Sequence, residues 1–254
     1  MTDTLRDFEG RSALVTGAGS GMGAACAQAL AARGASRLFL NDLDPAGLEK
    51  LDLGGCEVVP FIGSVADPEM WAGIEGELAG IDHAIVNAGI GIWGPLTEVD
   101  LAQWRKVMEV NLDGAFLTLS TAMRAMSAKG GSVCVVSSAT GVKPVPGVGP
   151  YGVSKAAVAH MARIAAAEGA AQGIRVNAIA PGGVDTPIWD TSEGFRHAVE
   201  QHGREAVLKE SAKDTPRGKF ATAPEIADTI LYLLSDAAMN ITGHVMVSDG
   251  GYTL

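Results

Sequence analysis

The sequence predicts a doubly wound α/β fold, in which helices cover both faces of a parallel sheet. Short runs rich in β-branched and apolar residues recur along the 254 residues. Most of them lack the alternation expected of a sheet with one wet face. Between them lie longer helical patterns, of the length that parallel crossovers require.

In chain order the strand-like runs are "ALVT" (13–16), "RLFL" (37–40), "EVVPFI" (57–62), "HAIV" (83–86), "SVCVVS" (132–137), "RVNAIA" (175–180) and "HVMVS" (244–248). Strands of this composition are expected to be buried on both sides. Helical segments include 22–33, 101–128, 152–171 and 223–235, and the run "ARIAAAEGAAQ" reads as helix because alanine has the best helix propensity. Segment 182–222, rich in Gly, Thr, Pro and charge, fits neither pattern and is expected to form a mobile lid over a site. No fixed-period repeat interrupts this order. A hydrophobic content of 47% supplies a large core, and residues 1–254 are expected to form one domain.

A net charge of −10 argues against nucleic acid as the main partner, since phosphate binding needs clustered Lys and Arg. The start, "MTDTLRDFEG", carries acids where a signal peptide carries basic and then apolar residues, and no run of about 18 apolar residues follows. A soluble, cytoplasmic protein without a membrane partner is expected. Cys26, Cys56 and Cys134 match no metal spacing and sit in apolar surroundings, as buried free thiols do. His197 and His202, the nearest histidine pair, fall on different helix faces, so no metal site is expected.

"TGAGSGMG" (16–23) follows the first strand and opens the first helix. That order is the context in which glycines let backbone approach a pyrophosphate while free helix N–H groups face its charge. Gly17, Gly19, Ser20, Gly21, Met22 and Gly23 are the candidate contacts. Asp42 ends the second strand, 19 residues after Gly23, close to the position where a carboxylate accepts bonds from an adenosine ribose diol and repels a 2′-phosphate. Its neighbour Leu43 is not basic, so the expected cofactor is NAD(H).

In "YGVSK", Tyr151 and Lys155 are separated by four residues and share a helix face. A nearby ammonium favours the phenolate, so Lys155 is expected to lower the Tyr151 pKa towards working pH, making the phenol usable as a general acid or base. Ser138 lies 13 residues before Tyr151, at the carboxyl end of a predicted strand, where open α/β sheets place their ligands.

These motifs, with "VNAG" (86–89), "VNLDGAF" (110–116), "VVSSATG", "PGGVDTP" (181–187) and "ITGHVMVSDGG" (241–251), make the chain resemble the short-chain dehydrogenase/reductase family over essentially its whole length. The resemblance implies a single Rossmann-type domain with a seven-stranded parallel sheet, a homotetramer, and oxidation of a secondary alcohol or reduction of a ketone. It implies that Tyr151 moves the substrate proton and that Ser138 fixes the substrate oxygen. Lys155 would lower the tyrosine pKa and hold the nicotinamide ribose, while Asn111 holds a water linking Lys155 to solvent. Asn87, Ala88 and Gly89 would pack beside the adenosine ribose. Pro181, Gly182, Val184 and Thr186 would run past the nicotinamide, with Thr186 near its carboxamide or the pyrophosphate.

The chain departs from the family at two places. Val86 precedes Asn87 where many relatives carry two asparagines, and Ser64–Val65 stands where an Asp-Val pair usually meets the adenine. By resemblance Trp93, Ser138, Thr140, Val142, Tyr151 and Trp189 line the substrate pocket. These side chains are mostly neutral and apolar, which points to a neutral, ring-bearing or bulky small-molecule alcohol or ketone, because an unpaired charge taken out of water is costly. Arg196, Arg204 and Lys209 could reach in from the lid. An NADPH-dependent 3-oxoacyl-carrier-protein reductase shares this scaffold but usually has a basic residue where this chain has Ser20. A non-catalytic dinucleotide-binding protein commonly lacks the tyrosine or lysine that are present here.

Overall fold

The computed structural model describes residues 6–254. Seven strands form one all-parallel sheet in the order β3-β2-β1-β4-β5-β6-β7. They are β1 (Ser12–Thr16), β2 (Arg37–Asp42), β3 (Glu57–Ile62), β4 (His83–Val86), β5 (Gly131–Val136), β6 (Ile174–Pro181) and β7 (Val245–Ser248). All seven match the apolar runs of the sequence. The chain leaves β3 at one edge and returns to the centre with β4, so the strand order reverses between β1 and β4, where open α/β sheets open a crevice.

Side chains alternate between two cores. Ala13, Val15, Leu38 and Leu40 pack with Cys26, Leu30, Ile226 and Ile230 on one face, under α1 (Gly21–Ala32) and α9 (Ala223–Leu234). Leu14, Phe39, Val133 and Val135 pack with Leu119, Met126, Val158 and Ala162 on the other, under α5 (Gly114–Met126) and α6 (Gly149–Gly169). Burial on both sides fails at the sheet edges: β3 has an exposed Glu57 and Val58, and Val247 of β7 is exposed, because an edge strand has a neighbour on one side alone. Of the thiols, Cys26 and Cys134 are buried as expected, but Cys56 is half-buried, since it precedes that open edge.

Short helices α2 (Pro45–Glu49) and α3 (Pro68–Ile74) start at Asp44 and Asp67, whose side chains accept from backbone N–H groups two residues on. The predicted 101–128 helix is broken. Between α4 (Leu101–Met108) and α5 lies one π-helical stretch, Glu109–Asp113, with Asn111 at its centre. Such bulges occur frequently at functional sites. Segment 182–222 is also more regular than its composition suggests. After a 3₁₀ turn at Pro187–Thr191 it forms α7 (Glu193–His202) and α8 (Arg204–Ser211).

Candidate active site

The glycine loop joins β1 to α1 and needs its glycines for different reasons. Gly17 has φ 64°, and a Cβ on it would lie 2.9 Å from Asn87 Nδ2. A Cβ on Gly23 would lie 2.0 Å from the Gly17 carbonyl oxygen, so the first helical turn can close onto the loop with glycine alone. Ser20 is exposed and caps α1 with no side-chain bond, leaving the first helical N–H groups available to an anion. Met22 packs on the core, and Gly21 faces Thr186, whose Cβ would lie 3.2 Å from an added methyl.

Asp42 lies against this loop. Its Oδ2 accepts from the Gly19 N–H at 2.7 Å and its Oδ1 from the Asp44 N–H at 3.0 Å, which fixes the carboxylate and leaves a lone pair on each oxygen. Leu43 beside it is 70% exposed, a free apolar surface at the rim. Ser64 Oγ accepts from the Ala66 N–H at 3.2 Å, while Val65 is buried against Gly114 at the start of α5. Asn87 is a brace: its Nδ2 donates to the Thr16 and Gly17 carbonyls at 2.9 and 3.2 Å. Thr16 Oγ1 accepts from the Asn87 and Ala88 N–H groups at 3.1 and 3.3 Å. Thr16 was legible only as the residue before the glycines.

Helix α6 starts at Gly149, two residues before the tyrosine, and Tyr151 and Lys155 share its inward face. Lys155 is buried, donates to the Val136 carbonyl at 2.8 Å, and stands over the Tyr151 ring. The spacing predicts that Lys155 lowers the tyrosine pKa. In the structure desolvation dominates: burial pushes the phenol up to about 12, against the pull of a hydrogen bond from Ser138. Burial likewise takes the Lys155 ammonium down to about 8. Ser138 Oγ accepts from Thr140 N–H and Oγ1 at 3.2 and 3.0 Å, which leaves its one proton for the Tyr151 oxygen or, in its place, a substrate oxygen.

Asn111 is buried, and its amide is nearly saturated. Oδ1 accepts from the Ile90 N–H at 2.8 Å, and Nδ2 donates to Ile90 O and Ser154 Oγ, both at 3.0 Å. One Oδ1 lone pair remains. A Cβ on Gly89 would lie 3.2 Å from that oxygen and 3.3 Å from Lys155 Nζ, so the missing side chain keeps open a space shared by the two. Ser154, unremarkable in sequence, also donates to the Tyr151 carbonyl at 2.7 Å and so ties the π turn to α6.

Above the dyad stands a series of aromatic rings. Trp93 lies 5.4 Å from Tyr151 between centroids and 6.0 Å from Trp189 in a nearly parallel arrangement, and Trp189 stacks on Phe220 at 5.4 Å. Phe195 adds a tilted ring 5.9 Å from Trp189. Phe220 had no local signal. It arrives because residue 184 pairs with residue 221, which lays its ring on Gly183. Val142 is exposed at the end of the Ser138 loop, and Val184 is buried beneath Trp189. Pro181 and Gly182 lead from β6 past Asp249. Of the cations expected near the pocket, Arg204 binds Asp185 at 2.7 Å and Asp190 at 2.8 Å, donates to the Thr186 carbonyl at 3.1 Å and lies over the Phe195 ring, and Arg196 donates to the Asp190 carbonyl at 2.6 Å.

Residues 17–253 match the sequence model of the family described as enoyl-(acyl carrier protein) reductase. The chain is 36% identical to a 2,5-dichloro-2,5-cyclohexadiene-1,4-diol dehydrogenase of Sphingobium indicum, covering 98% of this chain and 99% of that one. It is 37% identical to a cis-4-hydroxycyclohexanecarboxylate dehydrogenase of Sinomonas cyclohexanicum, covering 97% and 98%. The crystal structure of levodione reductase matches with a TM-score of 0.87 at 33% identity, covering 97% and 98% of the two chains. Fold, site and relatives define an oxidoreductase acting on CH–OH groups. The chain belongs to the short-chain dehydrogenase/reductase family, whose chemistry uses a nicotinamide dinucleotide.

Proposed function

We propose that this protein is an NAD(H)-dependent dehydrogenase interconverting a neutral, ring-bearing secondary alcohol and its ketone. The observation that carries the reading is the convergence of Ser138, Tyr151 and Lys155 beside the glycine loop and under an aromatic wall.

The residues fit a nicotinamide dinucleotide, since Gly17 and Gly23 have no room for a Cβ, the start of α1 lacks a side-chain cap, and Asp42 keeps two lone pairs. Residues 17–23 would hold the pyrophosphate, Asp42 the adenosine ribose, Ser64 and Val65 the adenine, Lys155 the nicotinamide ribose, and Thr186 the carboxamide. When bound, the nicotinamide accepts a hydride from the alcohol carbon or gives one to the ketone. Ser138 donates to the substrate oxygen and positions it. Tyr151 takes the hydroxyl proton during oxidation and returns it during reduction. Lys155 holds positive charge beside the phenol, and a water in the space next to Gly89 links Lys155 and Asn111 to solvent.

The relatives named for cyclohexane and cyclohexadiene alcohols support a ring. One of those names is a carboxylate, but here Arg204 is already engaged by Asp185 and Asp190, which favours a neutral substrate. Oxidation of a panel of secondary alcohols with NAD tests this. Higher kcat/KM on small hydroxy acids than on cyclic alcohols would overturn the substrate class, and no turnover on any would return the non-catalytic reading.

We place this single-domain protein in the cytoplasm; among the described residues no helix is long and apolar enough to cross a membrane. Residues 182–222 close over the ring as a lid. The exposed Phe116, Val153 and Ile164 on α5 and α6, and Met239 and Val247 near β7, favour assembly as a homotetramer. Light scattering showing a monomer at micromolar concentration would refute that assembly.

A further inference from the structure

Trp93 and Trp189 differ in how they are held. The Trp189 indole N–H donates to the Val184 carbonyl at 2.7 Å, and the ring is covered by Phe220 on one side and Phe195 at its edge. It is a fixed platform. Trp93 sits on a short span between two anchors: Ile90, bound through N–H and carbonyl by Asn111, and Gly94, whose N–H donates to the Gly147 carbonyl at 2.8 Å. Its ring folds back over Gly91, where a Cβ would lie 2.4 Å away, and stands half-buried between Tyr151 and Trp189.

The indole N–H of Trp93 donates to Thr191 Oγ1 at 3.1 Å. Thr191 spends its own proton on the Ile188 carbonyl at 2.7 Å, so towards the site it offers an acceptor alone. Trp93 thus has the form of a ligand: a flat neutral ring against Trp189, next to the tyrosine, with one donor aimed at Thr191.

Resting on the dehydrogenase reading above, we propose that the Trp93 indole holds the place of the substrate ring, and that substrate displaces it and gives Thr191 a second hydroxyl remote from the reacting carbinol. The preferred class is therefore a cyclic diol, oxidised at one hydroxyl and recognised as a donor at the other. A ketone or ether oxygen at the remote position cannot donate, so the exposed Thr191 oxygen keeps water as its partner and the compound forgoes that bond.

The probes are trans-cyclohexane-1,4-diol and trans-4-methoxycyclohexanol, which differ in that remote donor. Wild-type enzyme is expected to favour the diol by roughly threefold to tenfold in kcat/KM beyond the statistical factor of about two for its equivalent hydroxyls. Thr191→Val should bring the ratio to that factor. Displacement is read without turnover, because two indoles with centroids 6.0 Å apart couple their transitions and give paired circular-dichroism bands. The diol added to NADH-bound enzyme should weaken that pair, and Trp93→Phe should lack it from the start. An unchanged pair at saturating diol, or a wild-type preference for the methoxy compound, overturns the proposal. Failure of every alcohol to be oxidised overturns the dehydrogenase reading instead, and the dichroism still decides whether a ring replaces Trp93.

Discussion

The Lys155 ammonium stands over the face of the Tyr151 ring, 5.7 Å from its centroid, while donating to the Val136 carbonyl at 2.8 Å. One helix face holds both groups, and one cause moves them in opposite directions. Desolvation disfavours each charged form, so the phenol stands near 12 and the ammonium near 8. At neutral pH both keep their protons.

Alcohol oxidation requires the phenol to give up its proton, whereas ketone reduction uses the protonated form. Oxidative kcat/KM is therefore expected to rise with pH above neutrality, with no such rise in the reductive direction. Tyr151→Phe should lower turnover by about 10²–10⁴-fold and remove the alkaline rise. Fluorescence titration with NADH should show nearly unchanged affinity, because the phenol does not grip the adenosine half. Near-normal turnover in this variant would exclude the role.

Lys155 carries a stability cost of its own. Its folded pKa, near 8, lies below the ordinary 10.5, so at neutral pH burial of the charge opposes folding by roughly 3 kcal/mol. The unfolded chain binds more protons between those values, so this opposition fades as pH rises from 8 towards 10.5. Lys155→Met should therefore raise stability in urea at pH 7, lose most of that gain near pH 10, and abolish turnover. A Met variant less stable than wild type at pH 7 would show that the Val136 bond outweighs the desolvation.

The strands were legible because each is a contiguous apolar run, and the glycine loop because its order with strand and helix is local. Asp42 and the Tyr151–Lys155 pair were equally local. The π turn at Glu109–Asp113 was not, because it depends on Asn111 reaching Ile90 and Ser154, contacts distant in sequence. The sign of the Tyr151 shift was missed because four-residue spacing reports a neighbouring charge and says nothing of how much water the fold removes. Phe220 and Thr191 were missed because they join the site through tertiary contacts of the 182–222 segment.

Cofactor choice should turn on Asp42. Its carboxylate is held by Gly19 and Asp44, and the flanking Ser20 and Leu43 offer no cation to a 2′-phosphate. Wild-type enzyme should favour NAD over NADP in kcat/KM, and Asp42→Ala should narrow the difference. A wild-type preference for NADP would bring back the acyl-carrier-protein reductase alternative.

At the opposite end of the sheet, His83 joins three elements. Its Nδ1 lies 2.8 Å from Ser132 Oγ, which donates to the Leu234 carbonyl at 2.7 Å, so Nδ1 carries the proton and β4, β5 and the end of α9 are linked. Burial pulls its pKa from 6.5 to about 4; Asp82 and Asp236 oppose that shift, and Arg11 and Arg175 add to it. A depressed folded pKa means that the neutral ring's contribution is complete above 6.5 and is lost as pH falls towards 4, by about 3 kcal/mol in all. Asp82, held near 2 by Lys129 and Ser12, titrates below that window and does not mask it. Urea denaturation from pH 7 to 4 should show this loss in wild type. His83→Asn keeps a donor for Ser132 and does not titrate. It should flatten that part of the curve whatever its stability at pH 7, and an equally steep acid loss in the variant would assign the effect to other groups.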